Sequence, residues 1–356
     1  MAQRLRNPKL KHPKPKGPRP VTALVAPQRR PVSSLLDAMK DGREYASIVG
    51  VPVTDMDLSV ELRRAISDIE KIRQRPLLVY AANVLKEMPG RTSIDVSDHL
   101  PFCEMVDAVP AENKDLDMLI VTPGGSAQQV TQFVDAMRPR FENVSFIVPQ
   151  MAMSAGTIWV LSGNEIFMDE RAVIGPIDPQ VPGKDGRLLP AQAVLSLLAE
   201  IQRVGDEAIK QKQNPPWAYV QVLRNIDSKE IGNAIALSKY SSELAAEYLE
   251  KHKYRDWTNH HDGRPVTTEE RTSRAWEAAT SLCAHGKWHL HSHGITREVA
   301  WNELKIRINH PEEIEGFHRA IRRLWALLYW IFENTEIAKM YVSSYSTLFR
   351  SQPPGN

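Results

Sequence analysis

The heptad MAMSAGT, residues 151 to 157, follows the apolar run VSFIVPQ and holds Ser154 among neighbours of almost no bulk. Thirty positions before Ser154, the stretch LDMLIVTPGG (116 to 125) ends in Gly124 and Gly125. A serine on a strand-to-helix turn can act as a nucleophile, and small neighbours leave room for a substrate beside it. The plainer reading makes Ser154 the N-cap of a helix that packs close to a sheet. The two stretches together say more than either alone. In parallel α/β sheets, ligands gather beyond the carboxyl ends of strands, so Gly124, Gly125 and Ser154 are expected to converge. Glycines let backbone N–H groups face a cavity, as an oxyanion hole requires. Gly124, Gly125 and Ala155 are the donors expected.

A serine is weakly nucleophilic until a base takes its proton, and an imidazole suits that task near neutral pH. A carboxylate then orients the imidazole and stabilises its charged form. Nine of the eleven histidines lie between residues 252 and 318, densest in GKWHLHSHG (286 to 294). On a strand His289, His291 and His293 would share one face, and with NHHD (259 to 262) they could form a zinc site. No HExxH or CxxC spacing supports that, so no metal and no cofactor is expected. Lysine is the rival base, because a buried amine with a lowered pKa can serve. Lys184, Lys210, Lys212 and Lys239 lie in the relevant part of the chain, with Lys239 foremost. Asp178, in GPIDPQ, reads by itself as a turn former between prolines.

The elements that must position these residues are legible from periodicity. SVELRRAISDIEKIRQ (59 to 74) has helical spacing, and RPLLVYAANV follows as a strand. After TPGG, Val130, Phe133, Val134 and Met137 fall on one helical face. VSFIVPQ is the next strand, SAGTIWVLSG a short helix, and EIFMDERAVIGPIDP a return as strand and turn. The alternation predicts βαβ units and a mostly parallel sheet. QAVLSLLAEIQRV and SSELAAEYLEKH carry apolar helical faces, and TNHHDG makes a polar turn. ITREVAWNELKI (295 to 306) predicts a helix capped by Thr296 that leads toward a last strand. From about residue 311 a further helix is expected, then polar residues to the end.

Composition sets the outer bounds. The 356 residues are 42% hydrophobic and 25% charged, ordinary for a globular protein. Cys103 and Cys283 do not make a disulfide framework and suit a reducing compartment. The longest apolar stretch, LWALLYWIF (324 to 332), falls well short of the roughly 20 residues that span a bilayer. A cytoplasmic protein is therefore expected. Residues 1 to 36 carry nine Lys or Arg, seven Pro and no acid, which leaves 36 bases against 43 acids beyond them. Such an arm is expected to be disordered or extended; it could meet an acidic partner by charge alone, or serve equally as a solubilising tail or assembly arm. No interleaved aromatic and basic stripe follows it, which argues against nucleic-acid binding.

TPGGSAQQVTQFVDAM, MAMSAGTIWVLSGNEIFMDERAVIGPIDPQ and GITREVAWNELKI together resemble the Clp-protease/crotonase superfamily. Within it the chain is most similar to the serine dehydrogenase proteinase family, relatives of Clp proteases and signal peptide peptidase A. The resemblance covers roughly residues 60 to 310. It implies an α/β Clp-protease/crotonase-like fold of stacked βαβ units with a mostly parallel sheet and extra C-terminal helices. The expected organisation is a basic arm over 1–36, a serine peptidase domain over 37–310 and a helical extension over 311–356. The family's Ser, Asp and His, in that chain order, fall on Ser154, Asp178 and His291, with His293 the near alternative. A Ser–Lys pair, as in signal peptide peptidases, is the second possibility, with Lys239 or Lys210 as base. In a different class the runner-up is a catalytically silent assembly module on the same fold, and an acyl-CoA enzyme of the crotonase type is a weaker third. The resemblance also implies a peptide or protein substrate and a homo-oligomer, for which RRLWALLYWIF offers an aromatic, apolar face.

Overall fold

Continuous apolar runs give strands that are buried on both faces, the pattern of a parallel sheet covered by helices. In the computed structural model, which describes residues 34 to 351 apart from 87, 89, 183 to 187 and 289, β1 (Leu77–Ala82), β2 (Asp115–Val121) and β3 (Asn143–Val148) are of this kind. β4 (Met151–Ala152) steps out of the sheet and β5 (Glu165–Met168) returns to it. β1, β2, β3 and β5 run parallel, with Val79 opposite Leu119, Leu119 opposite Ile147, and Ile147 opposite Phe167. β4 pairs with β6 (Val173–Ile174), and single bridges link Thr122 to Ala152 and Ile174 to Ile295. β7 (Gln180–Pro182) and β8 (Leu188–Pro190) make a separate antiparallel pair.

The helices carry the expected apolar faces. α1 (Leu35–Ala38), α2 (Glu44–Ile48) and α3 (Leu58–Arg73) precede the sheet, and the Asp57 side chain caps α3 by accepting from the N–H groups of Ser59 and Val60. α4 (His99–Asp107) and α5 (Ala127–Met137) follow, with Val130, Phe133, Val134 and Met137 all buried. α6 (Ala155–Leu161) is buried along its whole length. Its Trp159 ring lies 4.7 to 6.1 Å from those of Tyr80, Phe102, Phe133 and Phe146. α7 (Ala191–Lys210), α8 (Trp217–Asn225), α9 (Ser228–Tyr248), α10 (Thr268–Cys283), α11 (His285–Trp288) and α12 (Arg297–Leu304) make up the helix-rich part. Thr296 caps α12, its hydroxyl accepting from the Val299 N–H at 3.4 Å. No strand follows α12 directly; the chain makes only a single bridge there, Asn309 to Phe167.

At both ends the chain departs from expectation. It divides after Ser33, so Ser34 to Leu36 belong to the folded unit, where Leu35 and Leu36 are buried. Residues 1 to 33 of the basic arm lie outside the described residues. At the other end α13 (Phe317–Asn334) is followed by β9 (Ile337–Val342) and β10 (Thr347–Ser351) rather than by polar coil. β9 runs antiparallel to β1, giving a six-stranded order β10-β9-β1-β2-β3-β5.

Lys339 interrupts the apolar run of β9 and hides its strand character, yet its side chain is fully buried. The ammonium donates to Asp98 at 2.6 and 2.8 Å and to the Ser93 carbonyl at 2.7 Å. Asp98 also accepts from the hydroxyls of Tyr80 and Tyr341. The apolar face of α13 is likewise used at home. Leu324, Leu327, Leu328, Trp330, Ile331 and Phe332 are buried within the chain, and the helix packs on α3 and α2. Trp325 and Tyr329, on the same helix, stay half-buried and line a cleft with Tyr45. Among the described residues, no helix is long and apolar enough to cross a membrane.

Removing one partner of a buried ion pair leaves an uncompensated charge. Lys339→Met is expected to lower the unfolding free energy by about 3 kcal/mol, measured by urea denaturation. A loss below about 1 kcal/mol would mean that Arg350, 3.0 Å from Asp98, satisfies the carboxylate alone.

Candidate active site

Ser154 occupies the N-cap position of α6, but its side chain makes no capping hydrogen bond. The capping reading is thus not how the hydroxyl is used. Its backbone sits at φ 51° and ψ −119°, a region that residues with a Cβ rarely enter and that stores strain at functional turns. The chain is held there from three sides. Met153 N–H donates to the Thr122 carbonyl at 3.1 Å. The buried Thr157 hydroxyl lies 2.7 Å from the Ala152 carbonyl and 2.9 Å from that of Gly175, and accepts the Gly175 N–H at 2.9 Å. Below, Trp159 fixes α6 in the aromatic core.

The glycine loop is seated with equal care. Ile94 N–H donates to the Gly124 carbonyl at 2.8 Å, and Ser126 N–H to the Ile94 carbonyl at 2.9 Å. Both glycines have positive φ, 102° at Gly124 and 144° at Gly125. A Cβ at Gly124 would lie 2.7 Å from the Met153 carbonyl oxygen, and one at Gly125 only 2.4 Å from that of Ile94. The structure changes the expected set of N–H donors. Gly124 N–H already donates to the Thr122 hydroxyl at 3.1 Å, so it is not available to a ligand. The N–H groups of Gly125 and Ala155 have no such partner among the described residues. Gly124 gives shape; Gly125 and Ala155 leave donors free.

Ser154, Gly124, Gly125, Ala155 and His291 line one cavity of about 700 Å³. Its apolar wall comes from Ile158, Ile177, Leu188 and Leu237. Asp178 stands behind it, 1% exposed, and receives two imidazoles. His291 Nδ1 lies 2.8 Å from one carboxylate oxygen, and His285 Nδ1 lies 3.2 Å from the other. A carboxylate only accepts, so each ring donates from Nδ1, which leaves Nε2 of His291 as an acceptor. The turn reading of Asp178 therefore misses its main partners. Cys283 is close by, but burial, and then the Asp178 charge, push its thiol up to about 12. It stays protonated and does not compete as a nucleophile.

The other candidates fall elsewhere. Lys239 is 71% exposed and 3.7 Å from Glu243 on the outside of α9. Lys210 and Lys212 are exposed as well, and Lys184 lies outside the described residues. The histidine run is not a strand: α11 covers 285 to 288, and turns follow. His293 packs its exposed ring against Trp288 at 5.4 Å, away from Asp178, and His289 lies outside the described residues. His291 and His293 thus share no face. Among the described residues, no group of three His, Cys, Asp or Glu is placed to hold a metal ion.

The profile of ClpP-like SDH-type serine proteinases matches residues 87–280, just over half of the chain. The chain belongs to this family. Ser154, both glycines and Asp178 fall inside the match, while His285, His291 and the C-terminal strands lie beyond it. An uncharacterized protein of Methanocaldococcus jannaschii, MJ0137, is 29% identical over 201 residues, 55% of this chain and 64% of its own length. A second from the same organism, MJ1495, is 26% identical over 223 residues, 63% of this chain and 70% of its own. The chain thus spans less than two thirds of the length of the first of these relatives.

Sequence reasoning missed Thr157, Ile94 and His285. Ile94 acts through its backbone groups and Thr157 through a hydroxyl bonded to the backbone, and neither leaves a composition signal. His285 stands six positions before His291 and was within reach of the question of which ring shares the carboxylate. Gly125→Ala is expected to destabilise the fold by about 2 kcal/mol, read from chemical unfolding, because a Cβ there meets the Ile94 backbone. An unchanged midpoint would show that the loop tolerates a side chain.

Proposed function

We propose that this protein is a serine peptidase with Ser154 as nucleophile, His291 as general base and Asp178 as the carboxylate that orients the base. One observation carries the reading: His291, held by Asp178 through Nδ1, presents its ring to the same cavity as Ser154. In this reading Nε2 takes the hydroxyl proton as Oγ attacks the peptide carbonyl carbon. The carbonyl oxygen becomes an oxyanion facing the N–H groups of Gly125 and Ala155. The imidazolium then gives its proton to the leaving amine, and water hydrolyses the acyl ester by the same route. The substrate is a peptide or protein strand lying along the apolar wall.

Hydrolysis of fluorescein-labelled casein tests the assignment. Ser154→Ala is expected to abolish it, and His291→Ala to cost nearly as much, of the order of 10⁴-fold, since the members act as a unit. Lys239→Ala should stay close to wild type. Wild-type turnover by Ser154→Ala would rule out this nucleophile, and no hydrolysis by the wild-type chain would leave the fold as an assembly module. Loss on Lys239→Ala with His291→Ala and His293→Ala both active would instead give a Ser–Lys pair.

We also infer a homo-oligomer. α8 has no buried residue, and it presents Trp217, Val222 and Leu223 to solvent, Trp217 at 79% exposure. A second copy is the occupant expected on such a face. Light scattering at micromolar concentration should give a multiple of the 40.2 kDa chain mass, and Trp217→Glu should reduce it. A monomeric mass for the wild-type chain contradicts the inference.

A further inference from the structure

A cleft of about 990 Å³ opens at the amino ends of β3 and β5, the opposite end of the sheet from Ser154. Its wall sets Arg75, Lys253, Arg274, Lys305 and Arg307 against Glu165 and Asp256. Most of these charges are already matched. Arg75 lies 3.8 Å from Asp115 and 3.6 Å from Asp117, and Arg274 lies 3.1 Å from Glu277. Glu165 is 3.3 Å from Arg73 and accepts from the Ser145 hydroxyl, while Asp256 is 3.1 Å from Arg255.

Lys253, Arg307 and Lys305 are the exceptions, and Lys305 is turned to the Asn302 carbonyl at 2.8 Å. Lys253 donates to the Asn164 carbonyl at 3.3 Å and has no carboxylate within ion-pair distance among the described residues. Arg307 has no ion pair there either. Burial pushes the Lys253 ammonium down to about 8, Arg307 adds its repulsion, and Glu165 opposes both. Two cations that repel across a cleft are stabilised by an anion between them, most of all by a dianion. Beside them stands Trp301, 52% exposed, with the Lys305 ammonium 6.0 Å from its ring centroid. A half-exposed indole at the mouth of a cationic cleft offers a stacking surface.

We propose that this cleft binds a phosphate monoester that carries a flat ring, the chemistry of a nucleotide. The phosphate, close to −2 at neutral pH, lies between Lys253 and Arg307. Arg307 supplies two parallel N–H donors and Lys253 a point charge. The ring stacks on Trp301. The volume lies in the range of small-ligand sites, and the site is separate from the peptidase reading.

Isothermal titration calorimetry of the full chain with AMP, adenosine and inorganic phosphate tests this. AMP is expected to bind at one site per chain, with adenosine and phosphate each at least tenfold weaker. Arg307→Ala should weaken AMP at least tenfold, and Trp301→Ala should weaken AMP several-fold while leaving phosphate unchanged. Arg307 is exposed, so its variant reports even if Lys253→Met fails to fold. No heat from AMP or phosphate at millimolar concentration overturns the proposal, as does equal AMP affinity in wild type and Arg307→Ala. Phosphate binding as tightly as AMP removes the ring from it.

Discussion

Everything around the candidate site depends on one backbone conformation, the positive φ of Ser154. A residue with a Cβ held there costs of order 1–3 kcal/mol, and it persists only because its surroundings overdetermine it. Thr157 ties α6 to β4 and to the segment after β6 through a single hydroxyl. Trp159, four residues on from the small Ala155, anchors the same helix in the largest aromatic cluster. The small residues of SAGT are the consequence. They let a helix start directly beneath a strained turn, with the hydroxyl left over for the cavity.

The opposing wall rests on a different kind of restraint. Asp178 is buried and accepts from two imidazoles, so its position is set by charge-assisted hydrogen bonds rather than by packing alone. The glycine loop rests on Ile94, and the segment leading to Asp98 is in turn tied to Lys339 on β9 through the Ser93 carbonyl and the Asp98 carboxylate. The C-terminal strands, outside the residues that match the family, therefore reach the cavity mechanically. Ser93 itself lines it.

The parallel core was legible because its strands are uninterrupted apolar runs and its helices have regular faces. Val130, Phe133, Val134 and Met137 of α5 read correctly from spacing alone. Thr296 read correctly as a cap because a side-chain hydroxyl before a helix has a local signature. The tail was not legible, since Lys339 in the middle of β9 looks like solvent exposure until Asp98, 241 positions away, supplies its charge. For the same reason the packing of α13 was not legible: its apolar face was visible, but its partners α2 and α3 were not. Gly124 shows the limit at the site itself. It lines the cavity, but only the Thr122 hydroxyl reveals that its N–H is already engaged. His291 came from the family pattern, and its bond to Asp178 is a long-range contact that no local signal encodes.

The most direct measurement is the mass of the intact protein after incubation with diisopropyl fluorophosphate, followed by peptide mapping of the adduct. Attack by an activated serine displaces fluoride and leaves one phosphoryl group on the chain. The account predicts a single adduct on Ser154 that forms in the wild-type protein and fails to form in His291→Ala. An unmodified wild-type chain, or an adduct on Ser154 that forms as fast without His291, would contradict it.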